Sequence, residues 1–354
     1  MKWIDPQLNS LPNEAYACFL SETLLGNPDA LHGISLMTAP LSHESVQTIP
    51  EPEDDSLGLI YSTQLGHLSR IRSIWNGIKA LGIPVNINPK TPEDLYPVVY
   101  CTNLARDESS LTEMLTVLTD LKVRGDIAAI LAGPLITPSF IQQFGNQIDV
   151  LFAASDYFQT QPNRVVMPAA PNFEYFKRNR PVKEARQVLL YYKPDLERVP
   201  LAPLKNQVIA FLDTLKMPYA QLTYSNYSPR LFKHLLDESF VMVAFSGPET
   251  QGISWAESWA MDVPTLMFDG YKLDRPVVNE SCVAAPYLTL PCGRHWHHLD
   301  QLEHFLLQTR DLLIPFEPAI WVREHFSYER IGKILVNALY RLPASQIKQF
   351  TKTL

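Results

Sequence analysis

The chain has 354 residues, 46% of them apolar and 19% charged, with a net charge of −7. At ~150 residues per domain that length makes two domains with sizeable cores, and the composition excludes both a disordered chain and a coiled coil. The acidic balance excludes a protein whose main task is to neutralise nucleic-acid phosphates, so no nucleic-acid partner is expected.

Residues 1 to about 55 read as a helix over Asn13 to Leu24, a strand over Gly33 to Met37 and an exposed, acidic, proline-bearing connection over Ser45 to Asp55, with no topological place assigned. From there short apolar runs alternate with longer amphipathic ones, the pattern of a parallel sheet with crossover helices. Leu57 to Tyr61 reads as a strand, Leu68 to Leu81 as a helix, and Val85 to Ile87 and Pro97 to Cys101 as strands. Leu111 to Leu121 is a helix, Ile127 to Ala132 a strand, Ser139 to Phe144 a short helix and Val150 to Ala153 a strand. Prolines and asparagines between 162 and 181 mark the linker, with a hinge near 170 to 185.

A second alternation follows: strands Val188 to Tyr192, Ala220 to Tyr224, Phe240 to Phe245 and Thr265 to Phe268, with helices Leu204 to Leu215, Pro229 to Leu236 and Gly252 to Met261 between them. Leu299 to Leu307, Ala319 to Phe326 and Tyr328 to Leu342 are further helices, and Ser345 to Phe350 is a short amphipathic segment. The expected fold class is therefore α/β, two Rossmann-like lobes facing across a cleft. Their bounds are 1–175 and 176–342, and 343–354 is a terminal helix able to cross back to the first lobe.

The longest uncharged run, Ile127 to Ile148, contains Pro134, Pro138, Gln142, Gln143 and Asn146, so no transmembrane segment is expected. The first residues lack a signal peptide's apolar stretch. Cys18, Cys101, Cys282 and Cys292 are scattered without CxxC spacing. Both features point to the cytoplasm.

Chemistry concentrates after the strand that ends at Phe245. The run Ser246-Gly-Pro-Glu249-Thr250-Gln251-Gly252 passes a carboxylate and a glycine into a helix start. Amides there lack intrahelical acceptors and the helix dipole favours an anion, while glycine lets a ligand approach the backbone. The same residues allow a plainer role: Ser254-x-x-Glu257 is a capping-box pattern, and Glu249 can be a solvated loop acid. Trp255, Ala256, Trp259 and Ala260, at helical spacing, belong to the core.

Glu249-x7-Glu257, followed by Ser258-Trp-Ala-Met-Asp262-Val-Pro264, resembles the signature of retaining glycosyltransferases of the two-lobed GT-B fold, family 4 and its relatives. That signature is Glu-x7-Glu and then Ala-x-Ala-x-Gly-x-Pro. Asp262 stands where the family has glycine; Asp tolerates the left-handed conformation better than most residues. The resemblance continues through Asp149 to Ser155, Arg164 to Pro168, Tyr224-Ser-Asn-Tyr227 into the following helix, and Phe326 to Ile331, and is good from about 149 to 342.

The resemblance implies a sugar transferred from a nucleotide-diphosphate donor, with Glu249 at the donor sugar and Glu257 on the ribose. The amides of Thr250, Gln251 and Gly252 would face the diphosphate, with Tyr227 in the neighbouring loop. It also implies an Arg and a Lys after the first strand of the second lobe; here Lys193 and Arg198 stand there in swapped order. The only candidate for the family's glycine-bearing loop in the first lobe is Ser62 to His67, with Gly66. No cofactor and no metal are called for, since helix amides and Lys193 can neutralise the diphosphate. A rival cluster, His295, His297, His298 and His304 with Cys292, lacks the ligand spacing of common zinc sites; that stretch reads as a loop and helix start. Acceptor and oligomeric state are open. Two other functions remain: a catalytically idle nucleotide-sugar-binding or assembly protein on this scaffold, and a nucleotide-sugar epimerase.

Overall fold

The computed structural model describes residues 34–38, 65–83, 85–87, 98–101, 129–131, 150–155, 164–194, 201–224, 226–247, 249–269 and 284–340. The expected elements over 13–24, 57–61, 111–121, 139–144 and 345–350, and Arg198, lie outside them. Strands β1 (Ile34–Thr38), β2 (Val85–Ile87), β3 (Val98–Cys101), β4 (Ala129–Leu131), β5 (Val150–Ala153) and β6 (Arg164–Val166) form a six-stranded sheet in the order β2-β1-β3-β4-β5-β6. Every pairing in it is parallel. The unplaced early strand is thus β1, between β2 and β3, with Leu36 level with Ile87 on one side and Val99 on the other.

Helix α1 (Leu65–Ala80) contains Gly66 in its first turn, where the sequence led us to expect a loop. Gly66 is helical because the helix begins earlier than the expected Leu68.

Strands β7 (Gln187–Tyr192), β8 (Tyr219–Thr223), β9 (Ser239–Phe245), β10 (Thr265–Phe268) and β11 (Gly293–Trp296) form a second sheet, ordered β11-β10-β9-β7-β8 and again parallel. Its helices are α2 (Leu201–Thr214), α3 (Pro229–Glu238), α4 (Ile253–Ala260), α5 (Leu299–Arg310) and α6 (Pro318–Phe326); α7 (Tyr328–Tyr340) follows. All seven residues of β9 are buried, as a central parallel strand covered on both faces requires. On one face Val243 and Leu190 pack with Val208 of α2 and Leu302 of α5. On the other Tyr191 meets Phe232 of α3 and Trp255 of α4. Both halves of the chain are therefore Rossmann-like α/β units.

The described residues divide into two units, with boundaries at Gly66/His67, Ala170/Pro171 and His325/Phe326. Within the first unit α1 and α7 cross at two glycines: a Cβ on Gly332 would lie 2.2 Å from the Gly77 carbonyl oxygen. Ala170 N donates to the buried Ser73 hydroxyl at 2.7 Å.

Arg178 holds the amino-terminal side of the second sheet. Its guanidinium donates to the carbonyls of Leu236, Asp237, Ser239 and Met261 at 3.0 to 3.3 Å, joining the ends of α3 and α4. Burial lowers its pKa, and Asp237, Asp262 and Glu238 oppose that fall. Arg178→Met keeps the stem and removes the donors, so thermal unfolding should show a loss of about 2 kcal/mol. Unchanged melting would mean that water replaces the guanidinium.

Candidate functional site

The chain runs from β7 outward to β8, then returns to place β9 on the other side of β7. Strand order reverses between β7 and β9, and the crevice outside the carboxyl ends of such strands is where open α/β sheets bind ligands. Lys193 follows β7 directly, and its N–H donates to Phe245 O, the last carbonyl of β9, at 2.8 Å. The Lys193 ammonium forms an ion pair with Glu249 Oε1, in the loop after β9. Ser246 Oγ donates to the same oxygen at 3.2 Å, and the Tyr224 ring lies 4.5 Å from the ammonium. Two residues far apart in sequence, singled out for opposite charges on one ligand, thus meet at one strand edge.

Gly252 is the N-cap of α4, with φ 74°, the left-handed region that favours glycine. Thr250 is half-buried, and Gln251 is buried ahead of it. The first turn of α4 leaves its leading amides without intrahelical acceptors, next to the Lys193–Glu249 pair in the chain's course. Asp262 has φ 58°, the conformation expected where an Asp replaces glycine, and its Oδ1 accepts from Ala319 N at 3.3 Å. The tryptophans and alanines of α4 are core residues, as their spacing indicates: Trp255, Ala256, Trp259 and Ala260 are all buried.

The capping-box role for Ser254 and Glu257 does not hold. The cap is Gly252, and the Ser254 hydroxyl lies 3.1 Å from Tyr191 OH and 3.5 Å from Tyr227 OH. Glu257 falls in the body of α4, half-buried. Burial is the main cause that raises the Tyr227 phenol, and the Glu257 charge adds to it. If Glu257 holds a ribose, as the resemblance implies, Glu257→Ala should weaken nucleotide binding by about 1.5 to 3 kcal/mol, the worth of a hydrogen bond to a charged group. Calorimetry with a nucleoside diphosphate checks this; unchanged affinity would remove Glu257 from the site.

The histidine stretch differs from expectation. His295 is on strand β11, not in a loop, and its Nδ1 is 3.7 Å from the Asp269 carboxylate, fully buried at the end of β10. His297 Nδ1 lies 2.9 Å from the Asp269 carbonyl oxygen. Main-chain pairing of β11 with β10 thus brings His295 to the edge where Asp269 stands. Among the described residues no group of three or more His, Cys, Asp or Glu is arranged to hold a metal ion. No described helix is long and apolar enough to cross a membrane. Reasoning from sequence missed Tyr191, Tyr224 and Ser246 as neighbours of the site; the paired tyrosines 191 and 192 that end an apolar strand were the available signal for the first.

No protein-family model and no curated protein matches the chain. Solved structures that resemble it include TarM, at 12% identity over 60% of this chain and 50% of that one, TM-score 0.37. WaaG, a glycosyltransferase involved in lipopolysaccharide biosynthesis, matches at 12% identity over 81% and 96% of the two chains, TM-score 0.43. Sucrose-phosphate synthase from Thermosynechococcus elongatus matches at 12% identity over 87% and 98%, TM-score 0.45. The chain thus spans half the length of TarM.

Proposed function

We propose that the protein transfers a glycosyl group from a nucleotide-diphosphate sugar to an acceptor, with retention of configuration and without a metal ion. The observation that carries this reading is the meeting of Lys193 and Glu249 at the strand-order reversal, beside a helix that begins at a left-handed glycine. A cation and helix amides suit a diphosphate; a carboxylate beside them suits a sugar that gains positive charge as the bond to phosphate breaks. In the reaction the acceptor oxygen bonds to the anomeric carbon, the carbon–oxygen bond to the diphosphate breaks with its electron pair leaving on the phosphate, and the acceptor's proton passes to that leaving oxygen. Lys193 stabilises the charge that grows there, Glu249 the sugar, and Glu257 holds the ribose. A cytoplasmic location belongs to the same proposal.

The test is incubation of the purified protein with a panel of nucleotide sugars. Release of nucleoside diphosphate, accelerated by an added acceptor, supports transfer. Binding without release favours an idle binding protein, and a new sugar isomer an epimerase. Lys193→Ala should lower turnover more than donor affinity, because the charge it meets is larger in the transition state than in the ground state. Equal losses in both would reduce Lys193 to ground-state binding.

A further inference from the structure

Three hydroxyls from three separate elements close on one another beneath the anion-facing edge of the second unit. Tyr191 OH, from the penultimate residue of β7, is 2.9 Å from Tyr227 OH in the β8–α3 loop and 3.1 Å from Ser254 Oγ in the first turn of α4. The third side, Tyr227 OH to Ser254 Oγ, is 3.5 Å. Each hydroxyl has one hydrogen and can accept, so the ring can circulate: each member donates once and accepts once. Hydroxyls that satisfy one another in a part-buried setting are coupled, because loss of one leaves the others short.

The surroundings fix the ring in place. Tyr191 is 1% exposed and stands edge-on to Trp255, with centroids 5.1 Å apart; Tyr227 packs on Phe232 at 5.4 Å. Burial, the largest cause in each case, raises both phenols, so neither ionises in the physiological range. The hydroxyl of Tyr227, a candidate ligand contact by sequence, is thus committed inward to Tyr191 and Ser254.

What the ring joins is what the anion site needs held together. Tyr191 is two residues before Lys193; Tyr227 is three after Tyr224, whose ring covers the Lys193 ammonium; Ser254 is two after Gly252. We infer that Tyr191, Tyr227 and Ser254 are positioning residues whose hydroxyl ring sets the spacing between Lys193, the Tyr224 loop and the first amides of α4, and so determines affinity for a diphosphate. This rests on the reading of that edge as a diphosphate site.

Calorimetry with inorganic pyrophosphate, well below the melting temperature, separates the two ideas. Tyr191→Phe and Ser254→Ala should each weaken binding about tenfold, and the double variant little further, because the ring acts as one unit. Ser254→Thr, which keeps a hydroxyl, should stay within about twofold of the wild type. Tyr191→Phe and Ser254→Ala proteins that bind as the wild type does, even with lowered melting temperatures, would overturn the positioning role and leave the diphosphate site standing. Additive losses in the double variant would overturn the ring as a unit. A wild-type protein that fails to bind pyrophosphate would overturn both.

Discussion

Glu249→Gln should lower glycosyl transfer on the order of 10²-fold or more and at the same time tighten the binding of inorganic pyrophosphate. The two effects have one cause. In the free protein the Glu249 carboxylate is paired with Lys193, and both side chains are mostly buried, at 15% and 30% exposure. An entering diphosphate takes the ammonium over, so the carboxylate is its competitor until it turns to the sugar. Removing the charge removes the competitor; a partly buried pair of this kind is worth about 1 kcal/mol, or roughly fivefold in affinity. Removing it also takes away the group that supports positive charge at the sugar ring, an interaction stronger in the transition state than before it. Single-turnover rates and pyrophosphate calorimetry on the same preparation check both. Transfer at the wild-type rate would end the catalytic assignment, and weaker pyrophosphate binding would show that the carboxylate organises the lysine instead of competing for it.

A comparable loss is expected from Gly252→Ala. A Cβ there would lie 1.9 Å from Cδ1 and Nε1 of Trp255. That ring cannot step aside easily: it is 1% exposed, and its Nε1 donates to Ala284 O at 3.1 Å. The backbone at φ 74° adds a left-handed penalty of about 1 kcal/mol, and overpacking about 1 to 3 more. Thermal unfolding should show a destabilisation on the order of 3 kcal/mol, and pyrophosphate binding should weaken because the amides of the first turn must move. Wild-type melting and affinity together would mean that the loop can rebuild around an added methyl.

How far these features could be read from sequence depended on whether their causes are local. The continuous apolar run Phe240 to Phe245 reads as a buried parallel strand because nothing in it asks for another environment, and β9 has that course. Asp262 was legible because the turn after α4 needs a left-handed residue whatever else surrounds it. Strand β11 was not: Gly293-Arg294-His295-Trp296 has a polar middle, and its strand form comes from pairing with β10. The place of β1 in its sheet was equally hidden, since its partners lie some fifty residues or more away in sequence. At the site, Glu249 and Lys193 were found singly by motif and strand-end position, while their pairing is a tertiary fact. The plainer, capping role open to Ser254 fails for the same reason. Its spacing to Glu257 fits a local cap, but the groups that claim its hydroxyl come from β7 and the β8–α3 loop.

Complete burial of β9 also fixes which parts of the second unit open first. Its amides are locked between β7 and β10, so they should exchange with deuterium only when the whole unit unfolds, and their protection should report its global stability. Ser246, Gly247 and Glu249 to Gly252, which follow it, lie outside helix and strand, and their amides should exchange through smaller openings than those of β9. A ligand that bridges Lys193 and α4 would then slow exchange in the loop without touching the strand, so the site can be rearranged repeatedly while the sheet beneath keeps its shape.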